Sequence, residues 1–518
     1  MSSKKSDGHA QAIAIEKGKF VAVGTNEKIL SLADETTKKL DLKNKTVVPG
    51  FIDTHVHGEA LGDRFSQMNL RNVKSIKDIQ QRVKNWVNRI PEGQWILGRG
   101  WDQDKLAEHR YPSISDLDQV APRNPVFLLR VCGHLGVTNS RALQLAGINK
   151  DTKLPQGGYI DKSLENAEPS GIVGENALEL IYRVLPVSNE RTLMDVCFSA
   201  VQKMVEKGIT TVHWIVSSPK EILALQKLES DQRLPLRIYL IIPIEHLNKL
   251  AGLGIQTGFG DDKIKIGCVK ILADGSLGAR TAALKQPYSD APGTRGMLLY
   301  SKKQLKNFVE KTHKADLQLA IHAIGDRTIE MVLEILEKVL QKRPKEQHRH
   351  RLEHASVLSP RLINKMKNLG IVVSVQPHFA ISDSWLINRL GESRARQTYA
   401  FKSLISSGII AIGGSDAPIE PVDPLLGIYA AVNGLKYPQE RLSLDEAFRI
   451  YTVDAAYGSF EEDVKGSIEI GKLADLVVLS KDPYKTSLDQ VGEIKVELTM
   501  VGGTIVFRSS DFQKAALS

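Results

Sequence analysis

No uninterrupted apolar run in this chain approaches the ~20 residues that a membrane-crossing helix needs. Its apolar stretches, such as LIIPI at Leu240–Ile244, are of strand length, so a membrane protein is not expected. Cysteine is scarce: Cys132, Cys197 and Cys268 are the whole complement. Odd in number and far apart, they exclude a disulfide framework and a CxxC zinc site, and they read as small buried hydrophobes. Aromatic residues make up only 6%, and no aromatic-rich platform is interleaved with basic residues as single-stranded nucleic acid would require. Long tracts of one charge are also missing. The 69 basic and 60 acidic residues give a net charge of +9, but they are spread along the chain, with short clusters such as QKRPKEQHRHR at Gln341–Arg351. That pattern describes a solvated surface and no nucleic-acid partner. MSSKKSDGHAQ at the N-terminus has no apolar segment behind its charges, so a cytoplasmic location is expected.

The chain of 518 residues is long enough for a large core. Two β-rich stretches bracket it: AIAIEKGKFVAVG at Ala12–Gly24, and ADLVVLS with VELTMVGGTIVFR at Ala474–Ser480 and Val496–Arg508. Each reads as strands paired around a turn, the last around Gly502-Gly503, so the two ends are expected to meet. Between them, short apolar runs alternate with helical patterns, the signature of repeated β/α units and hence of an α/β barrel.

Nine strands are predicted for eight places: Phe51–His55, Val126–Val131, Ile209–Ile215, Leu236–Ile242, Ile264–Leu272, Leu317–Ala323, Arg349–His354, Ile371–Val375 and Ile409–Gly413. The stretch from Gly58 to about Lys207 exceeds any single crossover and reads as an insertion after the first strand. It carries a helical pattern at Ile76–Ile90 and a segment without period, QGGYIDKSLENAEPSG, and assigning Val126–Val131 to it leaves eight barrel strands. The expected domains are therefore a terminal unit of residues 1–49 and 463–518 and a barrel of residues 50–462, with the insertion at about 58–207.

The strongest local signal is VVPGFIDTHVHG at Val47–Gly58. In an extended chain His55 and His57 share one face, the barrel interior, with Asp53 beside them. An HxH pair alone is weak evidence, because His348 and His350 form another inside a basic polar segment that reads as a solvated loop. Four further residues stand at or near the C-terminal ends of predicted strands, where parallel barrels place their active sites. Lys270 lies in a run of apolar neighbours and so requires either an inward carboxylate or carboxylation by carbon dioxide, which yields an anion able to bridge two metals. His322 and His354 end successive strands, and Asp416 emerges past the small residues of IIAIGGSDAP, where its alternative is a helix N-cap. Together His55, His57, Lys270, His322, His354 and Asp416 make a nitrogen and oxygen ligand set for zinc, manganese, iron or cobalt. Such a set suits hydrolysis by activated water, with Asp416 as the catalytic proton carrier. His213 is read as supporting the site or as core, and the glycines at 252, 254 and 258 only loosely resemble a dinucleotide fingerprint.

The chain resembles the amidohydrolase superfamily, in the branch of the N-substituted formamide deformylases and uncharacterised metal-dependent amidohydrolases. The motifs that carry the likeness run in order: VVPGFIDTHVH, VCGHLGVTNSRAL at Val131–Leu143, VKILADGSLGARTAAL at Val269–Leu284, AIHAIGDR, RLEHA, SVQPH, GGSDAP and GSIEIGKLADLVVLS. The resemblance implies a distorted (β/α)8 TIM barrel with a small β-sandwich built from both termini. It implies the six ligands above, two divalent metal ions, zinc foremost, and a carbamate on Lys270. It further implies substrate contacts at His134, at Arg280, for which an acidic side chain is the alternative partner, and at His378, with Trp101 and Asp102 as weaker matches. The polar N-terminus stands where the family places a further strand, so the expectation is either a sandwich that lacks an edge strand or a chain that starts late. The implied activity is hydrolysis of a non-peptide carbon–nitrogen bond in a small linear amide, such as an N-substituted formamide. A mononuclear deaminase and a noncatalytic scaffold are the alternatives, and a homodimer is the expected assembly.

Overall fold

The computed structural model describes residues 10–63, 68–163, 166–185, 190–510 and 512. Eight parallel strands form the central sheet: β1 (Phe51–Val56), β2 (Ile209–Ile215), β3 (Arg237–Pro243), β4 (Ile264–Leu272), β5 (Gln318–Ala323), β6 (Arg351–His354), β7 (Val372–Val375) and β8 (Ala411–Gly413). They are neighbours in chain order, and a parallel bridge from Val56 to Ala417 brings the first strand beside the last. This is the (β/α)8 barrel expected from the sequence. Every residue of β1, β2, β5, β6 and β7 is buried, because helices cover one face and the barrel interior the other. The helix Asp326–Lys342 shows how the cover works: Ile329, Val332, Leu333, Leu336 and Val339 recur at helical spacing on its buried face.

Outside the barrel, Thr46–Pro49 joins Leu476–Leu479, Val496–Val501 and Thr504–Arg508 in a four-stranded antiparallel sheet, so the chain ends do meet. The last two strands turn through Gly502 and Gly503 at φ +54° and +76°, where a side chain would be strained. Ala12–Glu16 pairs with Lys19–Gly24, and a bridge from Lys19 to Leu473 ties this hairpin to the same region. Residues 1–9, where an edge strand is expected to be missing, lie outside the described residues. The bidentate pair Arg237–Asp475, with N–O distances of 2.8 and 3.1 Å, links β3 to the terminal sheet.

The insertion carries a six-stranded sheet of its own. Two of its strands, Gly158–Lys162 and Pro169–Glu175, occupy the segment that the sequence presents as irregular. That expectation is corrected: Gly158–Lys162 is only half covered, so its composition lacks the apolar alternation of a core strand. A second correction concerns His348 and His350, which are 5% and 2% exposed rather than solvated. The Leu319 amide donates to His350 Nδ1 (3.1 Å), so His350 donates through Nε2 to His313 Nδ1 (2.9 Å), while His348 Nε2 donates to the Leu369 carbonyl (2.8 Å). Hydrogen bonds to elements distant in sequence satisfy these rings, which the basic local sequence does not reveal. Cys197 and Cys268 are buried as expected, whereas Cys132 is only half-buried.

Candidate active site

The end of β1 is built around His55. Its Nδ1 lies 2.5 Å from Glu353 Oε2. A carboxylate only accepts, so the ring donates through Nδ1 and leaves the Nε2 lone pair free. That Nε2 faces Lys270 Nζ at 3.1 Å and Asp416 Oδ1 at 3.4 Å, and His57 Nε2 reaches the same Asp416 oxygen at 3.2 Å. Backbone bonds from the Asp416 amide to the His55 carbonyl (2.7 Å) and from the His57 amide to the Ala417 carbonyl (2.8 Å) knit strand 1 to strand 8. Gly414 permits the approach, since a Cβ there would sit 2.8 Å from the His55 amide. Asp53 accepts from the His55 and Ser415 amides (3.2 and 2.9 Å) and fixes the same corner.

Lys270, on β4, is 6% exposed. Among the described residues no carboxylate lies within ion-pair distance of its Nζ, and burial pulls the amine down to about 8. His322, near the end of β5, donates Nε2–H to the Gly275 carbonyl (3.0 Å), which leaves Nδ1 as its lone-pair nitrogen. Asp274 fixes this corner by accepting from the Ala283, Ile324 and Gly325 amides at 2.9–3.0 Å. Side chains alternate along a strand, so His354 would point away from the interior that Arg351 and Glu353 occupy. It instead leaves β6 at φ +73°, with its ring 5.0 Å from that of His55 and 4.5 Å from that of His322. Asp416 is likewise left-handed, at φ +55°, so two residues of the cluster hold backbone conformations that cost free energy elsewhere.

The electrostatics suit ligation. Burial drives His55, His57, His322 and His354 below the ordinary imidazole value, so they stand neutral with lone pairs available. Burial pushes the Asp416 carboxyl up, yet His55, His57 and Lys270 around it prevail and hold it at about 2. His354 Nδ1 is buried without a hydrogen-bond partner, and Asp416 Oδ1 is buried with only the His55 and His57 ring nitrogens beside it at 3.4 and 3.2 Å, an arrangement that a shared cation would complete. Ligand atoms of His55, His354 and Asp416 lie within 4.8 Å of one another, as a shared metal ion would require. The N-cap alternative for Asp416 does not hold, because Asp423 caps the helix that follows.

All six predicted ligands line one cavity of about 1310 Å³, whose far walls come from the insertion through Arg99, Phe127 and Leu129. His134 also lines it, with its ring 5.2 Å from that of His322. Its Nδ1 lies 2.9 Å from Glu175 Oε2; burial lowers the imidazole, but the carboxylate more than compensates and leaves it at about 9. Gly275 makes room for this pair, since a Cβ there would come within 2.4 Å of Glu175 Oε1. Arg280 and His378 are not among the cavity walls. Arg280 is engaged by Asp290 at 2.9 and 3.1 Å, and His378 Nδ1 sits 2.5 Å from Glu420 Oε2. Trp101 is fully buried and donates to the Leu128 carbonyl, while Asp102 pairs with Arg130 at 2.6 Å. Sequence reasoning missed Glu353, Arg351, Asp274 and Glu175, although RLEHA and LADGS contain three of them.

An eight-stranded parallel barrel with imidazoles and a carboxylate converging at its C-terminal end defines a metal-dependent barrel hydrolase. The chain belongs to the amidohydrolase family, whose model matches residues 38–507, and is an enzyme acting on carbon–nitrogen bonds other than peptide bonds. It is 35% identical to the Bacillus subtilis (strain 168) protein YtcJ over 96% of both chains. It is 27% identical to the N-substituted formamide deformylase of Arthrobacter pascens, over 96% of this chain and 94% of that one. Among solved structures, an uncharacterized metal-dependent hydrolase from Pyrococcus furiosus superposes with a TM-score of 0.73 at 34% identity, covering 91% of this chain and 95% of its own. No helix among the described residues is long and apolar enough to cross a membrane.

Proposed function

We propose that this enzyme hydrolyses a small linear amide, in the class of the N-substituted formamides, at a centre of two divalent metal ions, zinc foremost. His55, His57, Lys270 as its carbamate, His322, His354 and Asp416 would hold the ions. The observation that carries the reading is the convergence of ligand atoms of His55, His354 and Asp416 to within 4.8 Å of one another in a cluster of neutral imidazoles, with His354 Nδ1 buried and unpartnered. When bound, divalent ions supply activated water and polarise a carbonyl oxygen.

The chain's own residues do the rest. The Asp416 carboxylate takes the proton of the attacking water and returns it to the leaving nitrogen. His134, held through Nδ1 by Glu175, turns its other nitrogen to the cavity and contacts the substrate carbonyl. The apolar insertion walls accommodate the substituent on nitrogen and limit water. The deformylase of Arthrobacter pascens supports the choice of formamides for a first trial. The enzyme should release formate and amine from an N-substituted formamide, lose that rate on chelation and regain it with zinc. Undiminished hydrolysis after complete chelation would contradict the metal role. A mononuclear deaminase is the second reading, favoured by the convergence of three ligands alone, His55, His354 and Asp416, toward one point.

A further inference from the structure

Arg351 and Glu353 form an ion pair inside the barrel, both 0% exposed, with contacts from Nε to Oε1 of 2.8 Å and from Nη2 to Oε2 of 3.0 Å. Such barrels ordinarily fill this interior with Val, Ile and Leu. Burying two charges costs desolvation that their attraction barely repays, and apolar replacements are often as stable. Stability therefore does not account for the pair, whereas its contacts do. The carboxylate meets His55 Nδ1 at 2.5 Å, and Arg351 Nη2 also donates to the carbonyl of Thr54, the residue before His55, at 2.8 Å. A third donor, Nη1, reaches His213 Nδ1 at 2.8 Å, which gives that buried histidine its place beneath the site.

We propose that Glu353, anchored by Arg351, is the positioning residue that fixes the tautomer and orientation of His55 for metal binding. The proposal rests on the metal-centre reading above. With the carboxylate in place His55 carries its proton on Nδ1, and its Nε2 lone pair points to Asp416 and Lys270. Without that carboxylate either ring nitrogen can hold the proton, and the ring loses the contact that orients it.

The test is cobalt binding by the full-length protein, followed by titration and visible absorption. In Glu353→Gln, which keeps the volume and removes the charge, affinity should fall about 10- to 100-fold and the cobalt spectrum should shift. The double variant Arg351→Met with Glu353→Leu should lose affinity at least as far while keeping its melting temperature within a few degrees. A Glu353→Gln protein with the wild-type affinity and spectrum overturns the proposal, as does affinity lost only in step with the melting temperature in both variants. Wild-type protein that takes up no cobalt overturns the metal-centre reading and the proposal with it, so the two failures are distinguishable.

Discussion

Replacing Asp416 by asparagine is expected to lower turnover by roughly 10²- to 10⁴-fold while the protein still binds metal. Asparagine retains the shape and one carbonyl oxygen, so a ligand remains where Oδ1 meets His55 and His57 at 3.4 and 3.2 Å. What it loses is the ability to accept a proton and give it back. The carboxylate at this position is ionised throughout the neutral range, because the surrounding His55, His57 and Lys270 outweigh the effect of burial. Steady-state kinetics beside metal analysis checks the expectation. Wild-type turnover in the asparagine variant would remove Asp416 from proton transfer.

Replacing Lys270 by alanine should have an effect of similar size for a different reason. A buried ammonium without a carboxylate partner is costly, and burial accordingly draws the amine down to about 8. At neutral pH about a tenth of such an amine is the free base. Only the free base attacks carbon dioxide: the nitrogen lone pair forms a bond to carbon as one C=O π pair moves onto oxygen, the nitrogen gives one proton to water, and the product is an anionic carbamate. If the proposed carbamate forms, the alanine variant lacks that anion and should bind fewer ions per chain. With a loss of about 4 kcal/mol of charge stabilisation, turnover falls roughly 10³-fold. Unchanged activity and metal content in Lys270→Ala would instead support the mononuclear deaminase.

The eight barrel strands are legible in the sequence because parallel strands buried on both faces read as apolar runs, and their predicted bounds agree with the structure to within two residues at each end. The six candidate ligands, which all line one cavity, are legible for the same reason: a histidine, lysine or aspartate at or near the end of such a run is conspicuous. Glu353 is not, since its meaning lies in a contact with His55, 298 residues away in sequence. Asp274 and Glu175 are hidden similarly, because backbone amides and His134 from other segments define them. Local polarity misleads at His348 and His350, whose partners come from neighbouring β/α units. Arg280 shows the converse: its motif is intact, and its partner is Asp290, the acidic side chain expected as the alternative to a substrate anion.

The most direct measurement of the central claim is the number of divalent ions per chain in protein purified without chelator or added metal, read with the mass of the Lys270-containing peptide under gentle conditions. The binuclear account predicts two ions and a lysine heavier by one carbon dioxide. One ion beside an unmodified lysine, or no metal at all in a folded protein, would contradict it.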